Sequence, residues 1–112
     1  MKKELTTVIE AQLAAFRAND YNKAFSFASS ELQSLFAPDE FERMVKASYP
    51  VVAQSVAADY GIAFDTGDEA VVSVRVENAA KKSVEYHYLF KKEAGAWKIS
   101  GVTEIKSEGL SV

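Results

Sequence analysis

His87 is the only histidine in this 112-residue chain, and imidazole is the side chain whose charge changes most readily near neutral pH. It sits in a run where Val84, Tyr86, Tyr88 and Phe90 alternate with Glu85, His87 and Lys91. A period of two places it on the outer face of a strand, beside Ser73 and Ser100, away from the core. There a surface or dimer-interface role is favoured over catalysis. No second histidine exists, no carboxylate lies at metal-ligand spacing, and there is no cysteine. A histidine-rich or thiolate metal site, a cysteine nucleophile and a disulfide are therefore excluded, and no metal or cofactor is expected. Asp20, Asp59 and Asp65 are the carboxylates nearest the expected interior. Asp20 reads as a helix cap, Asp65 as a turn residue, and Asp59 as facing away from Tyr60. The serines lack a partner histidine or aspartate placed for a triad, and no nucleophile elbow occurs. No residue qualifies as catalytic.

The tyrosines are the stronger candidates for a site. Tyr60, Phe64, Tyr86, Tyr88, Phe90 and Trp97 fall on inward positions of alternating runs, with Tyr49 where helices give way to strands. Gln12 and Phe16 fall on the apolar stripe of the first helix. Together Gln12, Phe16, Tyr49, Tyr60, Tyr86, Tyr88 and Trp97 could line a pocket for an apolar ligand, with the phenols giving orientation. The competing reading is that these rings simply fill the core, which is the commoner fate of an aromatic stripe. Gln12 either reaches a cavity or bonds a nearby backbone group.

The elements that must hold these residues come in two blocks. Leu5, Val8, Ile9, Leu13 and Phe16 recur at three- and four-residue steps and predict a long first helix. Asn19 and Asp20 interrupt it, and Asp20 can cap a second helix carrying Tyr21, Ala24, Phe25 and Ala28. Ser30 with Gln33 reads as a capping box for a short turn holding Leu32, Leu35 and Phe36. Pro38 suits the first position of a third helix, with Asp39 and Glu40 at the positive end of its dipole and Phe41, Met44 and Val45 on its apolar face. Tyr49-Pro50 ends it.

The period then changes to two. Val56, Ala58, Tyr60, Ile62 and Phe64 form a first strand, and Asp65-Thr66-Gly67-Asp68 a turn. Val72, Val74 and Val76 mark the second strand. The third carries Val84 to Phe90, and the fourth Trp97, Ile99, Gly101 and Thr103. Closing the hairpin at Asn78–Lys81 sets Val74 opposite Tyr86, Val72 opposite Tyr88 and Arg75 opposite Glu85. Closing the next at Glu93–Gly95 sets Tyr88 opposite Ile99, Phe90 opposite Trp97 and Tyr86 opposite Gly101, where the glycine gives the ring space or marks a bulge. The expected architecture is α+β: about three N-terminal helices packed on a curved four-stranded antiparallel sheet.

At 48% hydrophobic and 26% charged residues, the composition is that of a globular chain, and the length fits one domain over 1–112. A net charge of −3 with only short basic pairs (Lys2-Lys3, Lys81-Lys82, Lys91-Lys92) argues against nucleic acid as a partner. No apolar run approaches the ~20 residues that span a bilayer, so no membrane association is expected. Met-Lys-Lys-Glu has no apolar run behind it. Taken as a native start it implies a cytoplasmic protein, whereas a chain trimmed of its signal would be periplasmic or secreted.

Helices followed by a curved antiparallel sheet at this length resemble the nuclear-transport-factor-two-like superfamily, with its cone-shaped, cystatin-like fold. More narrowly, the chain looks like a bacterial family known only as a domain of unknown function. Ile9, Gln12, Leu13, Phe16, Asp20, Ala24, Phe25 and Ala28 carry that likeness in the first two helices. Phe36, Phe41, Met44, Val45, Tyr49 and Pro50 continue it, then Val74, Val76, Trp97, Ile99 and Gly101 in the sheet. The resemblance implies a fold and no activity. The superfamily includes ketosteroid isomerase and dehydratases beside non-enzymatic modules, and function lives in the site. Isomerase chemistry needs a carboxylate base and an oxyanion hole inside the cone. Here the first helix offers Gln12 and Phe16 where that enzyme has a tyrosine, and strands two to four offer no inward carboxylate. The reading that leads is a non-catalytic domain binding a small apolar molecule, or an accessory module. The alternative is an isomerase- or dehydratase-like enzyme using the cone as active site. The outer face, with Val71, Ser73, Arg75, Glu85, His87, Leu89, Lys98, Ser100 and Val102, suits water or a self-complementary sheet, and the resemblance adds the expectation of a homodimer there.

Overall fold

The computed structural model describes residues 2–105. Helix α1 (Lys2–Arg17) leads into α2 (Tyr21–Ser26), α3 (Ser30–Leu35), α4 (Pro38–Ser48) and the single turn α5 (Pro50–Ala53). Strands β1 (Ser55–Asp65), β2 (Glu69–Asn78), β3 (Ser83–Glu93) and β4 (Ala96–Glu104) form one antiparallel sheet in the order β1-β2-β3-β4. This is the expected α+β architecture, an open sheet with helices on one face. No helix among the described residues is long and apolar enough to cross a membrane.

Local chemistry explains the helix boundaries. Asn19 adopts φ 59°, and the Asp20 N–H reaches back to Ala15 O at 2.8 Å, closing α1 with a left-handed cap that asparagine tolerates well. Asp20 then caps α2 by accepting from the Lys23 N–H at 3.1 Å. The cap of α3 is Ser29, one residue before the expected Ser30. Its Oγ accepts from Leu32 N, while Gln33 Nε2 donates to Ala28 O. In α4, Glu40 accepts from the Ala37 N–H at 2.8 Å beside Pro38. Pro50 ends α4 as expected but also starts α5, because proline without an N–H fits the first position of a new turn.

The β2–β3 register matches the expected one throughout. Val74 lies opposite Tyr86, Val72 opposite Tyr88 and Arg75 opposite Glu85. The β3–β4 register differs. Ala94 and Gly95 both have positive φ and make a two-residue loop, so Glu93 pairs with Ala96 and Phe90 with Ile99, not Trp97. A bulge at Ser100 follows, setting Gly101 opposite Leu89 and Val102 opposite Tyr88. Tyr86 therefore faces Glu104 instead of Gly101, and Tyr88 no longer faces Ile99. Past the bulge the faces exchange. Val102 packs against the core and Thr103 is exposed, the reverse of the expected assignment.

Strand β1 departs for the same reason. After a first register shift between Ser55 and Ala57, Tyr60 pairs with Val74 but Ala63 with Val72, so a second extra residue enters β1 there and its alternation inverts. Ile62 and Phe64, expected inside, are 69% and 65% exposed. Gly61 marks the bulge: a Cβ there would sit 2.5 Å from Ser73 Oγ, which accepts from the Ile62 N–H at 3.0 Å.

One core joins α1, α2, α4 and α5 to the sheet's inner face. Beyond β4, residues 27–29 run alongside its edge. Ile99 N donates to Phe27 O and Ser29 N to Ile99 O, each at 2.8 Å. That tie, rather than burial, fixes α3, none of whose own residues is buried.

Candidate functional site

A cavity of about 280 Å³ lies between the helices and the β3–β4 half of the sheet. α1 supplies Gln12 and Phe16 to its wall, and the stretch tied to β4 supplies Ala28, Leu32 and Phe36. α4 adds Phe41, Met44 and Val45, and the helix-to-sheet junction adds Tyr49 and Val52. The sheet closes it with Tyr88, Ile99, Gly101 and Val102. No charged side chain belongs to that wall.

The ring packing shows why these positions are aromatic. Phe16 lies 5.4 Å from Tyr21 and 6.2 Å from Phe41, and Phe41 in turn 4.8 Å from Phe25, centroid to centroid. These contacts lock α1, α2 and α4 into one unit. Tyr49 spans the junction. Its Oη donates to Val102 O at 2.9 Å and its ring tilts against Tyr86 at 5.9 Å. Because the Val102 carbonyl lies just past the β4 bulge, this bond couples the end of α4 to the irregular part of the edge strand.

Two polar side chains on the wall are buried. Gln12 donates from Nε2 to Ala24 O at 3.3 Å, so the anticipated backbone bond and a place on a cavity wall occur together. Tyr88 is 0% exposed, and its Oη has no hydrogen-bond partner among the described residues. A buried hydroxyl without a partner costs about 1–3 kcal/mol, so it is a polar defect of the interior. Burial, with smaller contributions from Tyr86 and Tyr49, pushes the Tyr88 phenol well above the usual tyrosine range and keeps it protonated.

Of the seven residues singled out from sequence, the structure brings Gln12, Phe16, Tyr49 and Tyr88 together on this wall. The other three lie elsewhere. Tyr86 is buried beside Tyr49, and burial, reinforced by Glu104, pushes its phenol up to about 12. Tyr60 is half-buried on β1 and donates to the Glu10 carboxylate. Burial first and that bond second raise its pKa. Trp97 is buried with Lys92 Nζ 4.7 Å above its ring. The bulge on β4 and the edge position of β1 account for this division. Wall residues not anticipated include Leu32, Met44 and Val102. The apolar faces of their helices were visible, but nothing signalled that residues 27–29 would dock along β4.

His87 is exposed on the outer face opposite Ser73 and Thr103, not Ser100. Asp20 caps α2, Asp65 accepts from the Gly67 N–H in the β1–β2 turn at 3.0 Å, and Asp59 is exposed. Among the described residues no group of His, Cys, Asp and Glu is arranged to hold a metal ion. A broader surface groove of about 670 Å³ passes Arg17, Asn19, Lys46 and Gln54. These four side chains are exposed, and Lys46 already pairs with Glu42 at 2.6 Å, so water competes for their contacts.

The model of the domain-of-unknown-function family DUF4864 matches residues 1–112. The chain belongs to that family. Among solved structures, this DUF4864 chain is similar to the solution structure of RPA3114, a SEC-C motif containing protein from Rhodopseudomonas palustris. The identity is 17%, the TM-score 0.61, and the match covers 83% of this chain and 72% of that one. At that identity the likeness concerns the fold. No curated protein matches the sequence.

Proposed function

We propose that this DUF4864 chain is a non-catalytic, nuclear-transport-factor-two-like domain that binds a small apolar molecule in the cavity under α3 and α4. The observation that carries the reading is the wall itself: apolar residues around about 280 Å³, with a few buried polar groups and no charged side chain. Ligand sites have this make-up, mostly apolar with a small number of placed polar groups. The helices-then-sheet order and the open antiparallel sheet support the superfamily assignment. The enzymatic alternative has less support, because the wall offers no carboxylate or imidazole to move a proton and the Tyr88 phenol stays protonated.

The test is an amide-resonance titration with tetralin, an apolar probe of ten carbons. Saturable shifts centred on Phe16, Met44, Tyr88 and Val102 are expected, and Val102→Phe, which places a ring in the cavity, should abolish them. Shifts that never saturate, or that persist unchanged in Val102→Phe, would remove the reading.

A second reading concerns the outer face. Ile62 and Phe64, turned outward by the β1 bulge, join Leu89, itself 39% exposed, on the face opposite the helices. Exposed apolar groups of this kind favour a partner, and a homodimer through this face would cover them. Light scattering should give twice the monomer mass for the native chain and a monomer for Phe64→Glu. A native chain that is monomeric at working concentration would dispose of it.

A further inference from the structure

We infer that the ligand of this cavity is an apolar skeleton bearing a hydroxyl, which it donates to the side-chain oxygen of Gln12. The inference rests on the binding reading above and adds the chemistry of the ligand. Gln12 is the one polar residue among the buried positions of α1, and it lies on the cavity wall. Its Nε2 donates to Ala24 O of α2 at 3.3 Å. A backbone carbonyl only accepts, so the nitrogen must face it and the oxygen takes the other corner of the amide. Oε1 has no hydrogen-bond partner among the described residues. Unlike Tyr88 Oη it is not fully enclosed, so water can reach it.

The rest of the wall makes that oxygen decisive. The Tyr88 hydroxyl is enclosed and out of a ligand's reach. Tyr49 spends its proton on Val102 O at 2.9 Å and can then only accept. The remaining wall side chains are apolar. Any molecule that fills the cavity displaces water from Gln12 Oε1. A hydrocarbon leaves the oxygen buried and unmet, which sets back its binding. A ketone can take the second Nε2 proton at most and still leaves Oε1 unmet. A hydroxyl replaces the bond that water would have made. An ammonium could donate too, but the wall has no carboxylate to balance its charge.

Three probes on one carbon skeleton separate these cases by calorimetry or resonance titration: tetralin, 1-tetralone and 1-tetralol. Gln12→Met keeps the length of the side chain and removes both ends of the amide. It should weaken 1-tetralol about 5- to 10-fold, the worth of one neutral hydrogen bond. Over the same change 1-tetralone should lose no more than about twofold, and tetralin should be unchanged or tighter, since no oxygen is stranded. The substitution also removes the tie to Ala24 O, so the native protein supplies a second readout, which decides alone where the variant does not fold. The Gln12 Cδ resonance responds to a hydrogen bond accepted by Oε1, and it should move further with 1-tetralol than with either other probe. Equal weakening of all three probes, a loss of 1-tetralone as large as that of 1-tetralol, or a Cδ resonance that answers all three alike would overturn the donor assignment while leaving cavity binding intact. Failure of all three probes to bind the native protein would instead remove the binding reading, and this inference with it.

Discussion

The inner face of the sheet has a solid half and a hollow half. In the solid half Leu5 and Ile9 of α1 share the core with Val72, Val74 and Val76 of β2, all fully or almost fully enclosed. The hollow half is walled by Gln12, Phe16, Met44, Tyr49 and Tyr88 around the cavity. Short branched side chains let a helix settle closely on a sheet, and their shapes interdigitate. Rigid rings with polar ends cannot collapse the same way, because Tyr49 must reach Val102 O and Gln12 must reach Ala24 O. The hollow half is thus held open by its own hydrogen bonds and by α3, tied to the edge of β4 through Ile99.

The largest expected effect contrasts the halves directly. Ile9→Ala should cost about 3 kcal/mol in urea unfolding, as a side chain with neighbours on all sides. Met44→Ala should cost less than about half as much, because one side of it faces the cavity and forms few contacts there. Equal losses would mean that the cavity closes in solution.

The second effect is alkaline. Burial, reinforced by Glu104, pushes the Tyr86 phenol from 10 up to about 12, and burial also raises that of Tyr88. Between these values the unfolded chain loses phenolic protons that the folded one keeps. Stability should therefore be level in this respect below pH 10 and decline as pH rises from 10 through 12. Tyr86→Phe and Tyr88→Phe should each flatten that decline in urea unfolding curves, and a decline unaltered in both would place the titration elsewhere.

Smaller effects concern the joints. Asp20→Ala removes the cap of α2, which carries Ala24 and Phe25 into the core, and should cost about 1 kcal/mol. Glu93 accepts from both the N–H and the Oγ of Ser30, clamping the β3–β4 turn to the start of α3. These are exposed contacts, so Glu93→Gln should cost only about 0.5 kcal/mol or less. It should nevertheless speed amide exchange in α3 over the hollow half while leaving α1 unchanged. Uniform acceleration would show that the two halves open together.

Much of this was legible in the chain, and its limits have physical causes. The β2–β3 register could be read because two regular alternating runs flank one turn, and only one pairing buries Val72, Val74, Tyr86 and Tyr88 together. Asp20 announced its cap because a carboxylate there accepts a free N–H regardless of what packs above it. The edge strands were less legible. Gly101, read as space for a ring or as a bulge, does adjoin the β4 bulge at Ser100, whereas Gly61 at the β1 bulge drew no such reading. Each bulge turned side chains to the opposite face: Ile62 and Phe64 outward, Val102 inward. Leu35, read as part of an apolar turn, is 67% exposed, because α3 is held by the backbone tie before it, the Ser30–Glu93 contact and Leu32 on its other face.

For the candidate site, the sequence by itself determined the inventory: one histidine, no cysteine, an apolar stripe containing Gln12, and tyrosines on inward strand positions. These follow from composition and period, which need no knowledge of distant contacts. Only the tertiary structure decided which members meet. Tyr49 and Tyr88 join Gln12 and Phe16 around one cavity, Tyr60 turns to Glu10 at the edge, and Tyr86 and Trp97 are absorbed into packing. That decision rests on the bulges of the two edge strands and a backbone tie between elements some seventy positions apart. Local periodicity cannot encode the tie, because the partners that satisfy it are supplied by folding.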